Sequence, residues 1–176
     1  MVTFQRIWAM PNHLTFTIKP IAELLALAIN SGASRKWIDP FANNSTIKKL
    51  GSHVITNDLN LSYETDYHLD AIDFFKLFDD QSIDGVLYDP PYSTRQVSEC
   101  YKNCGYEVTQ ETTRADWWTA HKKEIARIVK PKGKVISFGW NSGGIGKKLG
   151  FEITDILLVP HGGIHNDTIV TVERKM

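Results

Sequence analysis

The chain has 176 residues, with 20 Lys and Arg against 20 Asp and Glu, so its formal charge is zero; 42% of it is hydrophobic. That length gives one domain with a full core, expected over 1–176, and the composition excludes disordered, fibrous and disulfide-framework classes. No apolar run reaches the roughly 20 residues of a membrane helix, and the N-terminus lacks the basic-then-apolar layout of a signal peptide, so a cytoplasmic protein is expected.

Ile21, Leu24, Leu25, Ala28 and Ile29 recur at helical spacing, which predicts a first helix over 20–30. Pro20 starts it and Gly32 lies just past its end. Trp37-Ile38, Val54-Ile55 and Tyr67-His68-Leu69 read as short strands. Asp70 through Leu77 reads as a helix with Asp70 as its N-cap, and Gly85 through Tyr88 as a fourth strand. A long polar loop follows over 93–115, then a helix over 116–129. Pro131-Lys132-Gly133 reads as a turn, 135–138 as a strand, and 139–150 as a segment with a short glycine-bounded helix. Strands over 153–159 and 168–172 complete the chain. This alternation predicts an α/β fold with a mainly parallel sheet covered on both faces.

The two cysteines form a lone Cys100-X3-Cys104. Nothing in the spacing selects further ligands from His121 or His161, so free thiols and no metal are expected. Charge is unevenly spread. Residues 51–92 carry nine acids against one base, whereas 93–150 carry eleven Lys and Arg against five acids. The basic half, with Lys122, Lys130, Lys132, Lys134, Lys147 and Lys148, fits either a phosphate-binding face or a solvated helix face.

Asp89-Pro90-Pro91-Tyr92 closes the apolar run 85–88, placing an acid, two prolines and an aromatic ring at a strand end. An exocyclic amine of a nucleobase is a poor nucleophile because its lone pair is conjugated into the ring. A carboxylate and a fixed carbonyl that accept its two N–H groups hold it nearer tetrahedral, and proline fixes such a carbonyl. Tyr92 then stacks on a base taken out of its helix. Upstream, Asp39-Pro40-Phe41-Ala42-Asn43-Asn44-Ser45 follows a second strand, and Asn57-Asp58-Leu59 follows a third. An acid at that position is where doubly wound folds bind a ribose.

Together these segments resemble the AdoMet-dependent amino-methyltransferases of DNA, the family that makes N6-methyladenine or N4-methylcytosine, in its small phage-type, single-domain form. The resemblance covers nearly the whole chain. It implies a Rossmann-like fold with a mostly parallel seven-stranded sheet, helices on both faces and an antiparallel strand from the final hairpin. It implies S-adenosyl-L-methionine as cofactor and double-stranded DNA with a flipped base as partner. Lys19 and Pro20, in the segment 15–21, then sit with Asp39, Pro40, Phe41, Ala42 and Asn43 at the methionyl end of the cofactor. Asp58 and Leu59 take the ribose, and Asp70 and Ala71 the adenine. Asp89, Pro90, Pro91 and Tyr92 carry the chemistry, with Asp89 also bordering the cofactor. His161, in the segment 160–168, borders the target base. A leading Asp resembles the adenine-N6 enzymes and a leading Ser the cytosine-N4 ones.

The family loop has glycine where this chain has Asn43 and Ser45. Glycine serves there because the backbone takes positive φ; Asn tolerates that region and Ser less so. No separate target-recognition domain is expected, and the 93–115 loop, with Arg95 and Lys102, is the candidate replacement. Related motifs serve RNA bases and protein glutamine, and a non-catalytic binding module or a homodimer is also compatible with the residues.

Overall fold

The computed structural model describes residues 1–31, 35–51, 53–109, 114 and 116–176. A seven-stranded sheet runs in the order β1-β6-β7-β5-β4-β2-β3. The strands are β1 (Thr3–Arg6), β2 (Trp37–Asp39), β3 (Ile55–Thr56), β4 (Ile83–Tyr88), β5 (Val129–Gly139), β6 (Phe151–Val159) and β7 (Thr168–Lys175). Neighbours are parallel except that β7 runs antiparallel to both β5 and β6. The helices are α1 (Lys19–Asn30), α2 (Ala71–Lys76), α3 (Thr94–Asn103) and α4 (Trp117–Ile128). None of the described helices is long and apolar enough to cross a membrane.

The two-residue period of β4 divides the core. Val86 and Tyr88 face α2 and α4, where Phe74, Phe75, Ile125 and Ile128 are buried. Leu87 faces the other way, against Ile21, Leu25 and Ile29 of α1. Burial on both faces explains why this strand reads as a continuous apolar run. Gly85 leaves the space that the Trp37 indole fills; a Cβ there would lie 2.4 Å from the ring.

Several sequence expectations need revision. The segment Tyr67–Leu69 makes only a single bridge, Asn57 to Tyr67, and the seventh strand is instead β1, an exposed edge strand beside β6. Pro131–Gly133 lies inside β5 as a bulge: pairing jumps from Ile83–Val129 to Gly85–Lys134, and Lys132 takes φ 65°. The short glycine-bounded helix expected within 139–150 is present as a 3-10 helix, Lys147–Leu149, between Gly146 and Gly150. The largest revision is α3, which occupies much of the supposed 93–115 loop. Its start is capped by Ser93, whose hydroxyl accepts from the Gln96 N–H at 3.3 Å. Ser-X-X-Gln is a capping-box pattern that the sequence does carry. Residues 110–113 and 115 of that loop, and Gly32, lie outside the described residues.

The strand directions also relocate the positive charge. Lys130, Lys132 and Lys134 lie in the first part of β5, and Lys147 and Lys148 just before β6, so they occupy the amino-terminal edge of the sheet. Lys130 pairs there with Asp84 at 3.0 Å. A single phosphate-binding face beside Asp89, at the opposite edge, is not formed by these residues.

Gly85→Ala tests the central contact. Overpacking against a buried indole costs ~1–3 kcal/mol, so the urea midpoint should fall with an unchanged slope.

Candidate active site

The carboxyl ends of β2, β3 and β4 open into a cavity of 480 Å³. Its walls come from four places: the strand-end loops 40–46, 58–63 and 89–92; the N-terminal segment His13–Phe16; the α3 face carrying Gln96, Glu99, Cys100 and Asn103, with Cys104 just past its end; and Trp117 at the start of α4. Volumes of this order suit one nucleotide-sized ligand.

Carboxylates dominate the charge. Asp58 and Asp89 line the cavity, Asp39 is fully buried behind it, and no Lys or Arg is among the described lining residues. Burial pushes Asp39 well above the usual carboxylate range; the Phe41 N–H draws it back, while Asp89 and Asp58 add repulsion. One Asp39 oxygen accepts from that N–H at 3.2 Å and the other has no hydrogen-bond partner among the described residues. Asp58 is raised by burial too, although it accepts from the Asn43 N–H and the Asn60 N–H at 2.9 Å each. Burial raises Asp89 to about 6, against the lowering effect of hydroxyl donors from Tyr92 and Thr15.

The loop after β2 adopts the glycine-like backbone without glycine. Asn43 and Ser45 take φ 48° and 52°. Local hydrogen bonds offset the cost: Asn43 Oδ1 accepts from the Asn44 N–H at 2.8 Å, and Ser45 Oγ donates to the Glu64 carbonyl at 2.5 Å. The Ala42 N–H donates to the Asn57 carbonyl at 2.9 Å, which ties this loop to the β3 end.

Of the residues singled out in the sequence, Pro40, Phe41, Ala42, Asn43, Asp58, Leu59, Asp89, Pro90, Pro91 and Tyr92 converge on the cavity. Lys19 and Pro20 do not line it; they form the first turn of α1, with Pro20 buried and Lys19 exposed. Asp70 and Ala71 also stand outside. Asp70 caps α2 by accepting from the Ile72 N–H at 2.9 Å, and accepts from the Tyr101 hydroxyl, while Ala71 packs in the core. Arg95 and Lys102 lie on the exposed side of α3, where Arg95 pairs with Glu99 at 2.8 Å.

His161 departs most from expectation. Its ring is buried, with Nδ1 2.9 Å from the Ala9 carbonyl and Nε2 2.9 Å from Thr168 Oγ1. A carbonyl only accepts, so Nδ1 donates to Ala9; in the neutral ring Nε2 then accepts from the Thr168 hydroxyl. The imidazole therefore fastens the N-terminal strap, whose Ile7 and Ala9 N–H groups also donate to β6 and Pro160, rather than facing the cavity. Sequence reasoning placed the segments 15–21 and 93–115 near the site, and Thr15, Phe16, Gln96 and Asn103 of them line the cavity; it missed the strap before residue 15, the helical form of α3 and Trp140. Trp140 is 47% exposed, and its ring lies 5.5 Å from that of Tyr92. The stripe 96, 100, 104 was available as an i, i+4 pattern; the strap carries no periodic signal. Both cysteines are free.

No protein-family model matches the chain, and no curated protein sequence does. Solved structures do. TrmN from Thermus thermophilus covers 90% of the chain at 17% identity and a TM-score of 0.59, and the chain spans about half (49%) of its length. N-methyltransferase NodS from Bradyrhizobium japonicum WM9 covers 89% of the chain at 10% identity and a TM-score of 0.58, with 94% of its own length matched. A SAM dependent methyltransferase from Archaeoglobus fulgidus gives 89%, 10% and 0.62, with 92% of its length matched. The fold is therefore the Rossmann-like one of AdoMet-dependent methyltransferases.

The raised carboxyls make a stability prediction. Asp89 has a folded value of about 6 against an ordinary 3.8, so its ionisation opposes folding fully above pH 6 and not at all below about 3.8. Asp89→Asn should raise the melting temperature at pH 8, and the gain should vanish as the pH falls through 6 towards 4. An equal gain at both ends of a melting series run across that range would contradict the assignment.

Proposed function

We propose that the chain is an AdoMet-dependent methyltransferase acting on an exocyclic amine of a nucleic-acid base, adenine N6 in DNA first among them. The observation that carries this reading is Asp89-Pro90-Pro91-Tyr92 at the end of β4, lining the same cavity as the glycine-like loop and Asp58. The cofactor residues fit chemically. A cavity lined by acids, without lysine or arginine among its described walls, suits a sulfonium cation bearing an ammonium group, and the unpartnered Asp39 oxygen is of the same sign. The 40–43 loop and Asp58 would hold that cofactor, with the His13–Phe16 segment closing over it.

When bound, the cofactor supplies an electrophilic methyl group on sulfur. The protein's own part is to orient the nucleophile. Asp89 accepts one N–H of the amine and the Pro90 carbonyl the other, which localises the nitrogen lone pair. The Pro91 carbonyl is engaged by Trp118 Nε1 at 2.9 Å, whereas no hydrogen bond among the described residues takes the Pro90 carbonyl. After transfer, the nitrogen sheds a proton to Asp89 or to water. Holding reactants in near-attack geometry supplies much of the rate. Tyr92 and the half-exposed Trp140 provide aromatic surface for a planar base.

For a nucleic-acid partner, the exposed side of α3 offers Arg95 and Lys102, and stacking carries more weight than phosphate contact because no Lys or Arg is among the described lining residues and the lysines of β5 and of the turn before β6 stand at the far edge. N4-cytosine, RNA bases and protein glutamine are the competing targets.

Incubation with methyl-labelled AdoMet and unmethylated DNA, RNA or protein, then digestion and mass spectrometry, tests the reading; labelled N6-methyladenine is expected. Asp89→Ala should lower kcat/KM by ~10²-fold or more while calorimetry still detects AdoMet binding. A wild-type protein that binds no AdoMet would overturn the reading in favour of a non-catalytic module.

A further inference from the structure

The Tyr92 phenol donates a hydrogen bond to Asp89 Oδ1, so the carboxylate that would receive a substrate N–H is already engaged. The main chain between the two residues is fixed. Two prolines separate them, the Pro91 carbonyl accepts from Trp118 Nε1 at 2.9 Å, and the Tyr92 N–H donates to Gln96 Oε1 at 2.7 Å. Only the tyrosyl side chain is left to move; it is half-buried, packing against the core layer that holds Leu87 and Phe138 and meeting the Trp140 ring edge-on at 5.5 Å.

The surroundings of Asp89 give that phenol a purpose. From β2 the buried Asp39 carboxyl lies within electrostatic reach of both Asp89 and Asp58, and Asp58 lines the same cavity. The N-terminal segment offers the Thr15 hydroxyl, and His13 lines the same cavity. From α3 come Glu99, Cys100 and Tyr101. No lysine or arginine is among the described lining residues, so hydroxyl donors rather than a cation keep Asp89 charged. A buried carboxylate without donors would take up a proton and lose one of the two acceptors the reaction needs.

We infer that Tyr92 is an exchangeable cap, a positioning residue whose phenol holds Asp89 as a carboxylate in the free protein and yields that oxygen to the amine N–H on substrate binding. The inference rests on the amine-methylation reading of the same site. The exchange conserves hydrogen bonds at the carboxylate: one O–H donor leaves as one N–H donor arrives. Any ligand that seats an apolar edge at Asp89 would break the phenol bond without replacing it, so the cap also discriminates for amines and amides.

Tyr92→Phe separates this role from stacking, because the ring is kept. In the free protein, carboxyl-carbon NMR should show the Asp89 midpoint displaced upward from about 6 in the variant, since a donor to the charged form has gone. The acid limb of kcat/KM, which reports the free enzyme, should move upward by the same amount. The acid limb of kcat, which reports the substrate complex, should stay where it is, because there the amine has already replaced the phenol. An unchanged Asp89 midpoint would overturn the cap, and a kcat limb that moves with the kcat/KM limb would overturn the exchange. The NMR arm needs no turnover. A wild-type protein that methylates nothing would therefore sink the amine reading, and the exchange with it, independently of whether the phenol shifts the Asp89 midpoint.

Discussion

Three carboxylates, Asp39, Asp58 and Asp89, are gathered at the carboxyl edge of adjacent parallel strands, and the rest of the site is organised around the cost of holding them there. Burial is the largest cause of each raised pKa, and Asp39 is raised further by the other two. Hydrogen bonds limit that cost. Backbone N–H groups of Phe41, Asn43 and Asn60 are turned towards Asp39 and Asp58, and side-chain hydroxyls towards Asp89. The left-handed backbone at Asn43 brings one of these N–H groups to Asp58, so local strain and electrostatics are two sides of one arrangement. A cationic ligand would relieve the repulsion that remains, which is the electrostatic basis of the cofactor site proposed above.

The charge distribution separates the two ends of the molecule. Net charge is zero, yet one edge of the sheet is acidic within its cavity and the other carries lysines of β5 and of the turn before β6. A partner approaching the cavity meets few fixed positive charges and an unusual share of exposed aromatic surface, including Trp140 at 47% and Trp8 at 59%. Under the base-methylation proposal, recognition at that edge would depend more on planar stacking than on long-range attraction, and it should be less sensitive to salt than contact through many phosphates.

The walls of the cavity differ in how firmly they are held. The floor belongs to β2 and β4, whose side chains enter both hydrophobic layers. The roof is α3, held by Tyr101 to Asp70, by Gln96 to the Tyr92 backbone and by buried Val97. The strap 7–16 depends on backbone bonds to β6 and Pro160, on His161 and on Phe16, whose ring lies 5.0 Å from that of Phe138. Movement needed to admit ligands is most readily drawn from the roof and the strap, since few buried contacts resist it.

By itself the sequence determined the α/β alternation, the helix over 20–30, the Asp70 cap and the strand-end motifs at 39–45, 57–59 and 89–92. These are local signals: apolar period, turn chemistry, and short polar runs directly after apolar ones. Tertiary structure decided what those signals cannot encode. It brought the three strand ends together, because only β-pairing fixes which strands are neighbours. It left Lys19, Pro20, Asp70 and Ala71 off the cavity wall and turned His161 to the strap, because side-chain direction follows from packing between distant segments. It sent the lysines to the far edge, because strand direction, not their order in the chain, sets the edge on which they emerge. It also seated Tyr92 on Asp89, a contact the motif spells in four adjacent letters but which only the fixed proline backbone and the Gln96 bond make specific.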